Sequence, residues 1–337
     1  MATLAHGEAE SSADFCWRVL AAVSRSFAVV IRELPPPLNE AVMLSYLLCR
    51  IADSFEDSSL RLAERRAQLL RLPLFLTRES KAEDFPVESV PGVYRELMSR
   101  PDAVFERYRG LDSAAQTAIH ACVAEMCEGM SEWTGSTIET IEHQNRYCYY
   151  VAGVVGQLLT ELFHIYGMVR RAVRDRLMQH AVPFGLALQK INILRDVRQD
   201  MHEGRCYWPE QLLLRHHTNR EQLLIPGRSE PALAVIEELV QDVVPYCGRA
   251  LRYIELLPAG QFRLRSFCAI PLFMATATAR ACRGNPDVVL ADAPVKISRS
   301  EARHIVLRSR TMAWCNPYLR HWYGQDLKSL TNGAPQL

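Results

Sequence analysis

The sequence lacks the long apolar run that a membrane-spanning helix requires, because no segment of about 18 uninterrupted apolar residues occurs in its 337 residues. It also lacks an excess of charge: 39 lysines and arginines stand against 38 aspartates and glutamates, a net charge of +1. A nearly neutral chain has no general attraction to nucleic acid, so no nucleic-acid partner is expected. The N-terminus, MATLAHGEAESSADF, is small and polar and has no signal peptide, so a cytoplasmic location is expected.

Paired cysteines and glycine-rich phosphate loops are also missing. Ten cysteines occur, but none forms a CxxC pair and most fall singly in apolar segments of helical pattern. This distribution indicates buried free thiols in a reducing compartment. No GxGxxG motif follows a strand pattern and no P-loop occurs, which argues against a Rossmann or P-loop enzyme.

The pattern that is present is helical. Apolar residues recur at spacings of three and four, alanine, leucine, arginine and glutamate dominate, and β-branched alternation is scarce. Breaks at proline, among them ELPPPLNE, CYWPEQ and one near Pro183, separate helices of roughly ten to thirty residues. With 49% hydrophobic residues the chain can bury a sizeable core. We predict an all-α single domain over residues 1–337, with residues 1–13 flexible.

Two segments carry acid where a buried helix is otherwise predicted. In ADSFEDS, Asp53 and Asp57 are four residues apart, so a helix would place them on one face about 6 Å apart along the axis, with Glu56 beside them. In NILRDVRQD, one face carries three oxygen-bearing side chains, at Asn192, Asp196 and Asp200. The flanks of both segments are apolar nearly all round, which is not typical of a solvated helix face.

A buried carboxylate must be neutralised or coordinated. Hard oxygen ligands without a matching histidine and cysteine set favour Mg²⁺, which usually binds phosphate oxygens as well. The two segments therefore predict a pair of acidic helices that clamp a diphosphate through Mg²⁺. Arginines close by in the sequence can donate forked hydrogen bonds to the same phosphates, at Arg50, Arg195 and Arg205.

A different metal site is suggested by two Glu-x-x-His pairs, Glu161 with His164 and Glu301 with His304. Di-iron carboxylate bundles use this pattern, but they also need a glutamate from each of two further helices. Glu-x-x-His arises easily in a helical chain with many glutamates and ten histidines. The Mg²⁺ interpretation is therefore preferred.

Five segments resemble, in order, the motif blocks of the squalene synthases: FCWRVLAAVSRSFAVVIRELP, AVMLSYLLCRIADSFEDS, NRYCYYVAGVVGQLLTELF, FGLALQKINILRDVRQDMHEGRCYWP, and FCAIPLFMATATARAC with VKIS. The resemblance runs from about Phe15 to about Ser298. It implies the isoprenoid synthase fold, a helical domain around a central active-site cavity. It also implies a step of isoprenoid lipid biosynthesis, such as that of sterols or hopanoids. In the implied reaction, two farnesyl diphosphates would couple head to head to presqualene diphosphate, which would then rearrange and be reduced by NADPH to squalene.

The resemblance also implies roles for individual residues. The Mg²⁺ ligands would be Asp53, Glu56, Asp57, Asn192, Asp196 and Asp200. Catalysis would involve Tyr46, Tyr147, Arg50 and Arg195, with Tyr147 the candidate for proton transfer. Substrate would be bound by Ser24, Arg25, Ser26, Phe27, Gln189, Arg205, Val151, Ala152, Val155 and Phe267. The nicotinamide cofactor would be bound by Lys296 and Arg299.

The segment YVAGVVGQLL has two interpretations that can hold together. Small residues at helical spacings, such as Ala152 and Val155, leave room for isoprenoid tails in a dry cavity that protects carbocations from water. Alternatively, Gly153 and Gly156 allow two helices to pack closely.

Three departures from the family pattern bear on function. The first acidic motif ends in EDSS, where many relatives carry a third acid. In VKIS, Ser298 stands where a basic residue is common, and Arg299 follows one place later. The apolar C-terminal anchor of many relatives has no counterpart. A cytoplasmic protein is therefore expected, and a transient contact with a membrane surface for product release stays open. A monomer is favoured, with other oligomeric states left open.

The sequence favours a reductive squalene synthase, since non-reducing relatives usually lack the combination of FCAIPLFMA and VKIS. One alternative is a non-reducing dehydrosqualene, phytoene or hydroxysqualene synthase. Another is a catalytically inactive helical protein that serves as a binding or assembly factor. The presence of both aspartate pairs and all three arginines argues against that second alternative.

Overall fold

A computed structural model describes residues 10–24, 27–77, 85–225, 227 and 229–331 of the chain. Over these residues the protein is helical and contains no β-strand, which confirms the all-α prediction. Within the described residues no helix is both long and apolar enough to cross a membrane. The chain forms two compact units, Met1–Ser131 and Glu132–Leu337. The single domain over residues 1–337 stays a prediction.

The first unit contains short and long α-helices. They are α1 Ser12–Val23, α2 Phe27–Arg32, α3 Leu38–Glu56, α4 Leu62–Leu76, α5 Arg95–Ser99, α6 Pro101–Arg109 and α7 Ser113–Trp133, the last of which ends just inside the second unit. The helix α1 begins at Ser12, inside the segment 1–13 that was expected to be flexible, and Ser11 accepts a hydrogen bond from the Asp14 N–H. Residues 1–9 lie outside the described residues.

An aromatic cluster fills the core beneath the end of α3. Phe55 lies 5.2 Å from Phe85, and Phe75 lies 5.1 Å from Phe85 and 5.7 Å from Phe105, measured between ring centroids. Three of the four rings are 0–1% exposed, and Phe85 is 9% exposed. Burial of an aromatic side chain contributes about 1.5–3 kcal/mol. The cluster therefore anchors the last turn of α3, which carries the first acidic motif.

The second unit contains the remaining helices. They are α8 Ile141–Cys148, α9 Val154–Ile165, α10 Arg171–His202, α11 Glu210–Arg215, α12 Ser229–Leu256, α13 Phe262–Cys282, α14 Asp287–Leu290, α15 Arg299–Met312 and α16 Asn316–Thr331. A π-helical turn, Tyr149–Gly153, joins α8 to α9. Such turns are rare and occur frequently at functional sites.

The predicted break near Pro183 is wrong, because α10 continues through this residue for 32 residues in all. Proline removes the hydrogen bond to the carbonyl four residues earlier, which here is that of Gln179. Arg249 of α12 donates to that carbonyl at 2.7 Å and so satisfies the group that the proline leaves open. A contact from α12 thus compensates for the proline, which by its local sequence pattern predicts the end of a helix.

Two glycines allow α9 and the π-helical turn to lie directly against α10. A Cβ atom on Gly156 would overlap the carbonyl oxygen of Ala181, and a Cβ atom on Gly185 would overlap that of Ala152. The close-packing interpretation of Gly156 is thus confirmed. Gly153 has more room, because a Cβ atom there would meet only side chains, at 3.0 Å from Tyr149 and 3.2 Å from Val182. All ten cysteines are free, and eight of them are buried, as predicted from their single positions.

Candidate active site

The first acidic motif lies at the C-terminal end of α3. Asp53 occupies the last turn, and Asp57 is the C-cap residue, whose N–H donates to the Asp53 carbonyl at 2.9 Å. Both aspartates are half-buried, whereas Glu56 is buried at 6% exposure. The helix therefore presents two carboxylates at the surface of the first unit and keeps the third acid inside.

Arg50 ties the first motif to two tyrosines. Its guanidinium lies 3.1 Å from the Asp53 carboxylate and donates to the Tyr46 hydroxyl at 3.3 Å. It also lies 5.8 Å from the centroid of the Tyr46 ring and 5.2 Å from that of Tyr94. Sequence reasoning identified Tyr46 and missed Tyr94, which lies in a short 3₁₀ turn far along the chain.

The charges at this end of α3 stabilise one another. Burial is the largest single influence on the pKa of Arg50 and lowers it, but the Asp53 carboxylate and the hydroxyl groups of Tyr46 and Tyr94 together outweigh burial, so the pKa of Arg50 is raised. Burial raises the pKa of Asp53, and Arg50 opposes that rise. Because burial makes ionisation of the Asp53 carboxylate unfavourable, an additional cation beside it would stabilise the ionised form. The motif is thus suited to a metal ion.

The second acidic motif follows one face of α10. Asn192, Asp196 and Asp200 are all half-buried and lie one helical turn apart. Arg195 forms a forked contact with Asp196, with its Nε donating to Oδ1 at 2.7 Å. Burial lowers the pKa of Arg195, but the hydrogen bonds that Arg195 donates to Asp196 and the negative charge of Asp196 together outweigh burial, so the pKa is raised overall.

After α10 the chain reverses direction and runs back along the last turn of this helix. Gly204 has φ of +76°, a left-handed conformation that favours glycine, and it reverses the chain direction. The Arg205 N–H then donates to the Asp200 carbonyl at 2.8 Å, while its guanidinium contacts Glu203. The turn therefore brings the backbone of Arg205 alongside the second acidic motif, and its role in binding diphosphate stays a prediction.

Tyr147 is 4% exposed in α8, and its ring stacks on that of Tyr207 with centroids 4.6 Å apart. Sequence reasoning missed Tyr207, although it lies two residues after Arg205 in the same turn. The neighbouring residues Val151, Ala152 and Val155 are half-buried on one side of the π-helical turn and α9. Their role in lining a substrate cavity stays a prediction.

The other predicted substrate residues have different surroundings. Phe267 is 6% exposed in α13 and packs edge-to-face on Phe163 at 6.2 Å between centroids. Gln189 is half-buried on α10. In the N-terminal block, Ser24 accepts a hydrogen bond from the Phe27 N–H at 3.2 Å, and the Phe27 ring lies 5.9 Å from that of Tyr46. Arg25 and Ser26 lie outside the described residues.

The predicted cofactor residues are on the surface of the second unit. Lys296 and Arg299 are both exposed. Between them, Ser298 is the N-cap residue of α15, and its side chain accepts a hydrogen bond from the Glu301 N–H at 3.1 Å. The serine that departs from the family pattern thus has a structural use here, since an N-cap hydrogen bond stabilises a helix by about 1 kcal/mol.

Arginines engage both glutamates of the Glu-x-x-His pairs. Arg174 contacts Glu161, and Arg280 contacts Glu301. The Nδ1 atom of His164 lies 3.0 Å from the Val169 carbonyl oxygen. These contacts account for both glutamates without iron. Across the described part of the chain, no three histidine, cysteine, aspartate or glutamate side chains are grouped to hold a metal by themselves.

Known proteins resemble this chain in sequence. The squalene/phytoene synthase family model matches residues 20–301. The chain is 33% identical over 318 residues to a squalene synthase of Schizosaccharomyces pombe, which covers 91% of this chain and 67% of that protein. It is 32% identical over 303 residues to squalene synthase 1 of Panax ginseng, which covers 89% and 70% respectively.

Solved structures are similar as well. The structure of TcSQS with the ligand BPH1237 aligns with a TM-score of 0.87 at 28% identity, covering 97% of this chain and 93% of that one. A dehydrosqualene synthase with a bound ligand aligns with a TM-score of 0.64 at 23% identity, covering 92% and 97%, which is a likeness of fold. The fold is thus that of the isoprenoid synthases.

Within that class the family match is specific. The chain belongs to the squalene/phytoene synthase family, as the ordered motif blocks predict. At the level of the family, its chemistry is that of a transferase of isoprenoid biosynthesis.

Proposed function

We propose that this protein couples two molecules of farnesyl diphosphate to presqualene diphosphate and reduces that product to squalene with NADPH. The observation that carries the proposal is the same combination in each unit: a half-buried aspartate held by an arginine. In the first unit it is Asp53 with Arg50, and in the second it is Asp196 with Arg195. A reaction that consumes two diphosphates needs cationic and metal-binding groups for both.

The carboxylates fit Mg²⁺ by their chemistry. Mg²⁺ in proteins usually takes one or two carboxylates, with substrate phosphates and water as the other ligands, so each aspartate pair is a sufficient set. Asp53 with Asp57, and Asp196 with Asp200, would hold the ions. When bound, Mg²⁺ would neutralise the charge that develops on the departing diphosphate.

The arginines would act on the same leaving group. Arg50, Arg195 and Arg205 carry delocalised charge and several N–H donors, which match phosphate oxygens in forked geometry. Substrate phosphates would compete with Asp53 for Arg50, with Asp196 for Arg195 and with Glu203 for Arg205. Charge that is already in place as the carbon–oxygen bond breaks lowers the barrier without rearrangement of solvent.

Tyr147 would serve the carbon chemistry. Departure of diphosphate leaves an allylic cation, and the negative face of an aromatic ring attracts a cation. Coupling of two isoprenoid chains also requires loss of a proton from carbon. The Tyr147 hydroxyl is the candidate to take part in that transfer, with the stacked Tyr207 ring fixing its plane. The half-buried apolar residues Val151, Ala152 and Val155 would exclude water from the cations.

NADPH would supply hydride to the second half of the reaction. Lys296 and Arg299 fit the phosphate groups of this cofactor, because both are exposed cations near the start of α15. Their part would be to bind and orient it. The sequence around them, VKIS, is the part of the family pattern that favours the reductive reaction.

A non-reducing synthase is the second candidate. Two observations favour it: Ser298 replaces a residue that is commonly basic in relatives, and a dehydrosqualene synthase shares the fold. Such an enzyme would carry out the coupling step and release dehydrosqualene, phytoene or a hydroxylated product.

One experiment separates the two. Purified protein is incubated with farnesyl diphosphate and Mg²⁺, with and without NADPH, and the extracted products are identified by mass spectrometry. We expect squalene with NADPH, and presqualene diphosphate or unreduced products without it. A product set that is the same in both conditions would refute the reductive half, and no coupled product at all would refute the proposal as a whole.

A further inference from the structure

The second unit contains a buried lysine that no step above uses. Lys190 lies in the middle of α10 and is 5% exposed. Its Nζ atom donates to the Asp242 carboxylate of α12 at 2.6 Å and to the Gln144 amide oxygen of α8 at 2.8 Å. It also lies 5.4 Å from the centroid of the Tyr246 ring. A buried ammonium requires such partners, because an unpaired charge in the protein interior is strongly unfavourable.

Gln144 connects Lys190 to the segment that follows α10. It is 1% exposed, and its amide nitrogen donates to the backbone carbonyl of Tyr207 at 2.9 Å. Since the ammonium of Lys190 is only a donor, the amide oxygen must face Lys190 and the amide nitrogen must face Tyr207. One side chain thus joins the buried ion pair to the turn that follows α10.

The segment that Gln144 holds is the one that supports Tyr147. The rings of Tyr207 and Tyr147 stack with their centroids 4.6 Å apart. On the other side of Tyr207, the indole nitrogen of Trp208 donates to the Ile193 carbonyl at 3.2 Å. One hydrogen bond thus holds the Tyr207 carbonyl, a second holds the side chain of the next residue, and the Tyr207 ring limits the position of Tyr147.

We propose that Gln144, oriented by Lys190 and Asp242, is a positioning residue that sets the place of the Tyr147 hydroxyl through Tyr207. This inference rests on the proposed function, because the role of Tyr147 does. Gln144 touches no reacting group. Its amide nitrogen holds the backbone carbonyl of Tyr207. Loss of that N–H donor should therefore shift Tyr207 and Tyr147 and lower the rate of the coupling step.

The variant Gln144→Glu tests the proposed positioning role, because it replaces the amide nitrogen by an oxygen and keeps the length of the side chain. The carboxylate can still accept from Lys190, but it places an oxygen against the Tyr207 carbonyl where an N–H donated before. We expect the coupling rate constant to fall about 10- to 100-fold while the KM for farnesyl diphosphate changes less than about twofold, since misplacement of a catalytic group by about 1 Å can cost about 100-fold. Gln144→Met, which loses both hydrogen bonds, should behave in the same way.

Tyr253→Phe is the matched control. It removes another buried hydrogen bond of this unit, the 2.8 Å contact between Tyr253 and Thr160, which does not involve Tyr147 or Tyr207. We expect it to lower the melting temperature without a change in the coupling rate. If Gln144→Met lowers the melting temperature to the same degree and also keeps the wild-type coupling rate, Gln144 is structural only and the inference is wrong.

Hydrogen exchange provides a measurement that does not depend on activity. The amides of residues 205–208 should exchange faster in Gln144→Glu and Gln144→Met than in the wild type, and at the wild-type rate in Tyr253→Phe. Unchanged exchange in the Gln144 variants would overturn the inference. If the wild type forms no coupled product, the proposed function fails, and this exchange measurement still decides whether Gln144 positions the turn.

Discussion

The guanidinium of Arg195 contacts both oxygens of the Asp196 carboxylate, its neighbour in sequence on α10. Adjacent helical residues do not normally face each other, so the long arginine side chain has to fold back to make this contact. In the first unit, Arg50 reaches Asp53 across three residues of α3. Each predicted metal-binding motif thus includes a carboxylate that already has a cation beside it.

Asp196→Asn should lower turnover by at least about 100-fold, because an amide cannot supply the anionic oxygen that Mg²⁺ prefers. Asp53→Asn should have a similar effect. The measurement is steady-state turnover of farnesyl diphosphate at saturating Mg²⁺, together with circular dichroism to verify the helical fold.

Asp175→Asn is the control for these two variants. Asp175 is an exposed residue of the same helix, α10, and it forms an ion pair with Arg174. Exposed ion pairs contribute little, so its loss should leave turnover unchanged. Near wild-type turnover in Asp53→Asn or in Asp196→Asn would contradict the two-motif mechanism.

The acidic motifs could be predicted because their information is local. Spacings of four residues and apolar flanks suffice to place Asp53 and Asp57 together at the end of one helix. Lys190 could not be recognised in the same way. Its partners, Gln144 and Asp242, lie 46 and 52 residues away, and no local pattern joins them.

The continuation of α10 through Pro183 has the same cause. The signal against a helix is local, but the hydrogen bond from Arg249 that compensates for it comes from α12. Likewise, Ser298 appeared as a gap in a basic motif, and only the start of α15 shows its use as an N-cap. Sequence reasoning therefore predicted the helical class and the motifs, and it missed the contacts between distant segments.

Tyr147→Phe should reduce the coupling step by about two orders of magnitude, the usual size of an acid–base contribution. The stacked contact with Tyr207 involves the ring alone, so packing should be unchanged. A single-turnover assay of presqualene diphosphate formation measures the effect. Tyr318→Phe on α16 is the control and should have wild-type rates. A wild-type rate of coupling in Tyr147→Phe would show that the Tyr147 hydroxyl takes no part in proton transfer and that the residue only lines the substrate cavity.

Gly185→Ala should destabilise the second unit by about 1–3 kcal/mol, because the added Cβ atom would overlap the backbone of Ala152 and the helices must move apart. Gly324→Ala is the control, since no atom lies within 4 Å of a Cβ there and alanine favours a helix. Urea denaturation measures both. Equal stability of the two variants would show that the helices are less closely packed than described.

Thiol reactivity should follow burial. Burial raises the pKa of Cys148 and Cys247 to about 12, so the thiolate fraction at pH 8 is very small. Only Cys49 and Cys315 are partly exposed. Titration of the native protein with a disulfide reagent at pH 8 should therefore detect at most two fast thiols, against ten in denaturant. Rapid reaction of more than two would contradict the buried assignments.

Lys296→Ala tests the reductive half of the proposed function. A hydrogen bond to a charged group contributes about 1.5–3 kcal/mol, so loss of this contact should raise the Kd for NADPH by about 10- to 100-fold. Direct titration of NADPH fluorescence measures the binding, and the apparent KM for farnesyl diphosphate should not change. Lys328→Ala, another exposed lysine of the second unit, is the control and should bind NADPH like the wild type.

The neighbouring serine allows a second, independent change. Ser298→Arg introduces the charge that is common in relatives but removes the N-cap of α15, so any tighter binding of NADPH should be accompanied by a loss of about 1 kcal/mol in stability. Ser298→Asp retains the cap and adds negative charge, so it should weaken NADPH binding without that loss.

If Lys296→Ala binds NADPH like the wild type and its products are unchanged, Lys296 is not a cofactor residue. If the wild type also gives the same products with and without NADPH, the enzyme is a non-reducing member of its family.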